Sequence, residues 1–270
     1  MNLRHCLVVG SPIRHSRSPL IHRLFAEQFK LPLCYERREV LPGGLAAALA
    51  EFRRAGILGI NVTVPLKEEA CELAVRREPR CEHAGAANTL WYTPEGELAA
   101  DNTDGVGLVR DLRALGVPLK GKRVLVLGAG GAARGIVPSL LESEPAELLL
   151  ANRSLARAEG LAARFAIGAV PLEQRFDRPF DVVLNSTSAG LGGSAAPDVS
   201  PTAIDAGTFC YDLIYAREET PFLRWAKALG VRVAADGLGM LVEQAAAAFQ
   251  RWHGLQPETR QVLAFLRTRN

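Results

Sequence analysis

At 270 residues, with 48% hydrophobic and 23% charged side chains, the chain is long enough for about two domains and too apolar to be disordered. Its 32 basic and 29 acidic residues are interspersed and leave a net charge of only +3, which excludes a nucleic-acid footprint. Arg4 is followed by a short apolar run, Cys6 to Val9, so neither a secretory leader nor a membrane span is expected and the chain reads as cytoplasmic.

In chain order, "HCLVVG" reads as a first strand and runs into "GSPIRHSRSP", residues 10–19, ahead of a helical pattern from Leu20 to Lys30. Ser18 before Pro19 has the form of a helix N-cap with proline in the first turn. Capping leaves Ser16 unexplained, and two hydroxyls converging on open helix N–H groups suit a carboxylate. His15 and His22 have no partner at metal-ligand spacing, so no metal is expected. A second helix is expected over Leu45 to Arg54 and a buried strand over "LGINVTV". That strand carries Asn61 and Thr63 into "PLK", where Lys67 falls in the first turn of a helix expected over Leu66 to Arg76. A cation there opposes the helix dipole, a placement that suits proton transfer more than surface solvation, although an ordinary lysine beside Glu68 and Glu69 remains the alternative. The basic run "RREPR" at 76–80 reads as a solvated helix end. "GAANTL" brings Asn88. In "DNTDGVG", any one of Asp101, Asn102 and Asp104 could cap a helix over 105–115.

"RVLVLGAGGAARG" then puts Gly128, Gly130 and Ala133 between a strand and a helix, in the G-x-G-x-x-A spacing that binds a pyrophosphate on a helix N-terminus. An NAD site would end the following strand on a carboxylate. Here "LLLANRSLAR" has Asn152, Arg153, Ser154 and Arg157 in that place, and guanidiniums suit a 2′-phosphate, which points to NADP. "DVVLNST" and "TFCYDLI" complete a series of strands buried on both faces, the mark of parallel sheet. A long amphipathic helix, 236–254, carries Gln244 and begins at Gly237 and Gly239, a plausible hinge. If that helix returns to the first module, one domain is discontinuous. The five cysteines form no C-x-x-C pair and read as reduced, mostly buried thiols.

Nearly the whole chain resembles one family, the shikimate dehydrogenases, through "GSPIRHSRSP", "NVTVPLK", "GAANT", "DNTDG", "GAGGAAR", "NRS", "NSTSAG", "YDLIY" with "TPFL", and "DGLGMLVEQAA", in order and at matching spacing. The resemblance implies an α/β protein of two α/β domains. One, residues 105–236, is a Rossmann-type NADP-binding domain; the other is a discontinuous substrate-binding domain, residues 1–104 with 237–270. It implies NADPH-dependent, reversible reduction of 3-dehydroshikimate to shikimate in aromatic amino acid and chorismate biosynthesis. By match, Lys67 and Asp104 form the catalytic pair and Ser16 and Ser18 bind the substrate carboxylate, while Asn61, Thr63, Asn88, Tyr215 and Gln244 surround the ring hydroxyls. NADP falls to Gly128, Ala129, Gly130, Gly131, Ala132, Asn152, Arg153, Ser154, Arg157, Leu213 and Gly237.

Two small departures, Arg23 after "IH" and "GAANT" in place of "GAVNT", touch none of these roles. A quinate/shikimate dehydrogenase of broader coenzyme use would share the fold, but the arginines favour NADP and the paired serines favour shikimate. A non-catalytic, ligand-sensing relative would lack the Lys/Asp pair and add a DNA-binding segment. The expected partner is therefore a small-molecule substrate, with no nucleic acid and no membrane. Monomer and homodimer are equally compatible with the sequence.

Overall fold

A computed structural model of the chain describes residues 3–189 and 195–268; Gly190, which closes the "NSTSAG" motif, lies outside the described residues. The chain packs into two units, residues 3–107 with 242–268 and residues 108–241. The change of unit falls inside two helices, after Gly107 and after Leu241.

The first unit begins with β1 (Arg4–Gly10), α1 (Ser18–Gln28), β2 (Leu33–Glu39), α2 (Leu45–Arg54), β3 (Gly59–Val62), α3 (Lys67–Leu73), β4 (Arg76–Arg77), α4 (Pro79–Ala84), β5 (Thr89–Tyr92) and β6 (Leu98–Asp101). Its sheet has the order β2-β1-β3-β5-β6-β4. Leu7, Val9, Ile60 and Val62 from the central strands pack with Leu45, Leu49, Phe52 and Leu66 into one core. The sheet is mixed: β1 and β3, the strands read from sequence in this half, are parallel as expected, and the unmarked β5 and β6 add antiparallel pairs. β1 runs parallel to β2 and β3, whereas β5 runs antiparallel to both β3 and β6. The link from β5 to β6 is a short turn closed by Thr93 N–H to the Glu97 carbonyl, with Gly96 at φ 83°, and so short a link can join only antiparallel strands. The "RREPR" run is corrected. Arg76 and Arg77 form strand β4, and Arg80 turns inward to the carboxylate of Asp101.

The second unit carries most of α5 (Asp104–Ala114), then β7 (Arg123–Leu127), α6 (Gly131–Glu142), β8 (Glu147–Asn152), α7 (Leu155–Phe165), β9 (Gly168–Pro171), β10 (Val182–Asn185), β11 (Phe209–Asp212), α8 (Pro221–Ala228) and β12 (Val233–Asp236). From here α9 (Leu238–His253) leads the chain back to the first unit, which α10 (Thr259–Thr268) completes. All strand pairs are parallel, in the order β12-β11-β10-β7-β8-β9. Taking β7 as the first strand, this is the 3-2-1-4-5-6 order of a Rossmann-type sheet, whose winding reverses between β7 and β10. Val124, Leu125, Val126 and Leu127 are fully buried, as expected of a strand covered on both faces.

Gly237 and Gly239 have a packing reason to be glycine. A Cβ on Gly237 would lie 2.2 Å from the Leu213 carbonyl oxygen, and one on Gly239 would lie 2.1 Å from Asp111 Oδ1. Neither has a positive φ, so close approach, and not hinge freedom, accounts for both. The Asp111 carboxylate beside Gly239 accepts the Tyr211 hydroxyl at 2.7 Å, and that hydroxyl in turn accepts the Met240 N–H.

All five cysteines are free thiols and four of them are buried. Among the described residues no helix is long and apolar enough to cross a membrane.

Candidate active site

In the first unit, the polar residues singled out from sequence gather around one carboxylate. Lys67 is the first residue of α3, held there by its own carbonyl, which accepts the Ala87 N–H at 2.7 Å. Its ammonium Nζ stands 2.5 Å from Asp104 Oδ2, and the two side chains are only 12% and 7% exposed. Asp104 opens α5, with its backbone N–H donated to Asn102 Oδ1 at 3.1 Å. Of the three residues that could cap this helix, Asn102 is the one whose side chain accepts an amide at its start. Asp101 is committed elsewhere: it is 1% exposed and grips Arg80 through both oxygens.

Asn88 braces the pair from the other side. Its Nδ2 donates to Asp104 Oδ1 at 2.8 Å, to Thr103 Oγ1 at 2.9 Å and to Gln244 Oε1 at 3.2 Å. Its Oδ1 accepts the Thr103 N–H and the Thr89 hydroxyl. An amide with this many partners has one orientation, so both oxygens of Asp104 are fixed before any ligand arrives. Asn61, on β3, donates to the Asn88 carbonyl at 3.1 Å and joins the same network. The Thr63 hydroxyl makes no hydrogen bond among the described residues, while its methyl packs where a side chain on Gly10 would otherwise sit.

The "GSPIRHSRSP" stretch forms a tight loop into α1. Ser18 is the first residue of that helix and not its cap, which corrects the sequence expectation. The amide of Ser18 donates instead to Ser16 Oγ at 3.3 Å, and the two hydroxyls are 3.2 Å apart. Arg37 from β2 holds the Ser16 carbonyl with Nε at 2.9 Å and Nη2 at 2.6 Å.

In the second unit, the loop after β7 meets the loop after β10. Gly128 has φ 108°, and a Cβ there would fall 2.8 Å from Ser186 Oγ. Both facts require glycine. Gly130 is exposed with open space around it and precedes α6, whose first turn has no side-chain cap and no acidic residue. Gly131 and Ala132 form that turn, Ala129 is buried behind it, and Ala133 is fully buried. Arg153 and Arg157 are exposed beyond β8, beside Ser154, the N-cap residue of α7, and neither guanidinium has a partner among the described residues. Asn152 Nδ2 closes this turn on the Ser154 carbonyl at 2.8 Å. Leu213 and Gly237 touch through the close approach described above, and Tyr215 lies three residues past β11 in this same unit.

Three family models match in sequence: "Shikimate dehydrogenase substrate binding domain" over residues 8–90, "Shikimate / quinate 5-dehydrogenase" over 112–192, and "Shikimate 5'-dehydrogenase C-terminal domain" over 237–266. A curated shikimate dehydrogenase (NADP(+)) from Alkalilimnicola ehrlichii is 51% identical over 265 residues, 96% of this chain and 97% of its own. The chain belongs to the shikimate dehydrogenase family. Solved structures agree. An Ael1 enzyme from Pseudomonas putida superposes with a TM-score of 0.90 at 41% identity, covering 97% of this chain and 98% of its own. A shikimate 5-dehydrogenase from Thermus thermophilus, in complex with NADP(H) and shikimate, gives 0.89 at 36% identity, covering 98% and 99%.

This shikimate dehydrogenase family member also has positioned residues that sequence reasoning misses. Arg37 and Tyr35 sit on an edge strand without a hydrophobic pattern, and Asp212 is hidden inside "YDLIY". Asp212 is fully buried and accepts Thr220 Oγ1 at 2.6 Å, Asn185 Nδ2 at 3.0 Å and the Ile214 N–H at 3.1 Å. Burial pushes its carboxyl up to about 6 although all three bonds favour the charged form. It ties the loop after β10 to the loop after β11. A polar residue inside an apolar strand-end motif is the signal that could have found it.

Proposed function

We propose that this chain is an NADP-dependent shikimate dehydrogenase, which reversibly reduces 3-dehydroshikimate to shikimate in aromatic amino acid and chorismate biosynthesis. The observation that carries the reading is the Lys67–Asp104 pair, 2.5 Å apart and largely removed from solvent. In this reading the first unit binds the substrate, the second binds NADP, and the setting is the cytoplasm, where free thiols persist.

The residues of the second unit fit NADP. A glycine-only turn, an uncapped helix start and an open position at Gly130 suit a pyrophosphate against backbone N–H groups. At the end of β8 no carboxylate is present to accept ribose hydroxyls. The unpartnered Arg153 and Arg157 suit a 2′-phosphate instead, with Asn152 and Ser154 shaping the turn. Gly128 to Ala132 would hold the pyrophosphate, and Leu213 and Gly237 would bound the nicotinamide end.

Bound NADPH supplies a hydride to the ring carbonyl carbon. Lys67 Nζ stabilises the negative charge that grows on the carbonyl oxygen and is a proton source for it. Asp104 keeps the lysine aimed, and Asn88 keeps Asp104 from turning. Asn61, Thr63 and Gln244 take the ring hydroxyls, and the hydroxyls of Ser16 and Ser18 take the carboxylate.

The decisive assay offers shikimate with NADP and, separately, with NAD. Coenzyme reduction with NADP is expected, and activity with NAD alone would overturn the coenzyme assignment. For the serine pair, Ser16→Ala is expected to raise the KM for shikimate about tenfold, since hydrogen bonds to charged groups contribute about 1.5–3 kcal/mol. It should also lower Tm slightly, because Ser16 and not Ser18 accepts the helix amide. An unchanged KM would reduce Ser16 to a turn-forming residue.

A further inference from the structure

The Tyr35 hydroxyl donates to Asn61 Oδ1 at 2.7 Å. The rest of the Asn61 carboxamide is committed inward. Its Nδ2 donates to the Asn88 carbonyl at 3.1 Å and to Thr89 Oγ1 at 3.4 Å. A backbone carbonyl can only accept, so it fixes which end of the amide is nitrogen. Both amide protons are then used, and one of the two lone pairs of Oδ1 is filled by Tyr35. What remains is one acceptor position.

The tyrosine is itself held firmly. Its ring stacks on the His22 imidazole, with centroids 4.2 Å apart and planes at 14°, and His22 stacks in turn on Trp252 at 5.5 Å. Trp252 is anchored by its indole N–H to the Leu90 carbonyl at 3.2 Å and by Gly59, where a Cβ would lie 2.2 Å from the indole. His22 is fully buried, and that burial pushes it down to about 3, so the stack is neutral at working pH. Burial also pushes the Tyr35 hydroxyl well above the usual phenol range, which keeps it a donor.

We infer that Tyr35 is a positioning residue for substrate selection: it holds the Asn61 carboxamide so that its oxygen offers a single acceptor position, which selects a ring hydroxyl over a carbonyl or an ether. The inference rests on the reading of Asn61 as a substrate contact. The same hydroxyl also lies beside the Ser18 side chain, and His22 beside Asn61, so the double variant, and not Tyr35→Phe alone, assigns the effect to Asn61.

Tyr35→Phe keeps the aromatic stack and removes only that hydroxyl. Its expected effect is a rise of about fivefold in KM for shikimate, the size of one ordinary hydrogen bond, with kcat within about twofold of wild type and the KM for NADP unchanged. The same substitution in an Asn61→Ala background should raise KM no further, because the group that Tyr35 positions is gone. A normal KM for Tyr35→Phe, or an equal rise in the Asn61→Ala background, overturns the inference. If Asn61→Ala itself leaves KM unchanged, the substrate-contact reading of Asn61 fails and this inference fails with it. If Asn61→Ala raises KM while Tyr35→Phe does not, only the positioning role is lost. A fall in Tm without a change in KM would make Tyr35 purely structural.

Discussion

Lys67→Ala is expected to lower turnover with shikimate by about 10²–10⁴, the range for a lost acid–base group, while the affinity for NADPH stays at the wild-type value. The lysine is at the N-terminal end of α3, where the helix dipole disfavours a cation. Its charge is nonetheless matched by Asp104 at 2.5 Å. The variant therefore leaves a mostly buried carboxylate with the Asn88 amide as its remaining side-chain donor, and breaking a buried pair from one side costs stability. A lower Tm should accompany the lost turnover. Asp104→Asn placed in the Lys67→Ala background removes the stranded charge and should recover part of that Tm without recovering activity. The two single variants should lose similar turnover, and the double variant should lose far less than their product, because the residues act as one unit. Retention of more than about a tenth of wild-type turnover by Lys67→Ala would fall outside that range and move the proton-transfer role to another residue.

Lys67 is legible in the sequence because position alone makes it odd: a lysine in a first helical turn directly after a buried strand. Gly128 is legible for a similar reason, since a strand followed by G-x-G leaves little room for any other turn, and its φ of 108° bears this out. In the second unit the four central strands β7, β8, β10 and β11 are legible as mostly apolar, mostly buried runs, whereas the edge strands β9 and β12 are short, only partly buried and not marked in the sequence. The first unit reads less well. β2 exposes Glu36 to Glu39 and buries little of the rest, so neither period-2 alternation nor an apolar run marks it, and Arg37 and Tyr35 disappear with it. β5 and β6 are four residues each, and their antiparallel direction is decided by the turn between them, not by their composition.

Register explains the remaining misreadings. Asp101, Asn102 and Asp104 are equally good helix starters by residue type. Only the three-dimensional placement of Arg80 and Asn88 separates the residue that pairs with an arginine from the one that accepts an amide at the helix start and the one that meets Lys67. Ser18 reads as a cap because Ser-Pro usually is one. The loop before it tightens enough for Ser16 to reach the amide first. In both cases the residue types are right and the roles shift by a position or two, a difference that local propensity does not resolve.

Replacing both Arg153 and Arg157 by Ala is expected to weaken NADP by at least about tenfold, since each guanidinium–phosphate bond contributes about 1.5–3 kcal/mol, and to leave NAD binding nearly unchanged. The two side chains are exposed and have no partner among the described residues, so their removal should not unfold the domain. Arg157 lies in the first turn of α7, which has no acidic residue to offset the helix dipole, so Tm should hold or rise slightly. NADP affinity in the wild type should also fall with added salt more steeply than in the double variant, because an exposed charge–phosphate contact is screened. Asn152 and Ser154 remain to shape the turn, so the proposed adenosine-ribose site is left unchanged and the NAD comparison stays valid. The quantity to measure is the ratio of kcat/KM for NADP to that for NAD. A drop of about tenfold or more, carried by the NADP value, is the outcome of a 2′-phosphate clamp. Equal losses for both coenzymes would mean that the arginines support the loop as a whole, and the preference for NADP would then have to come from another part of the second unit.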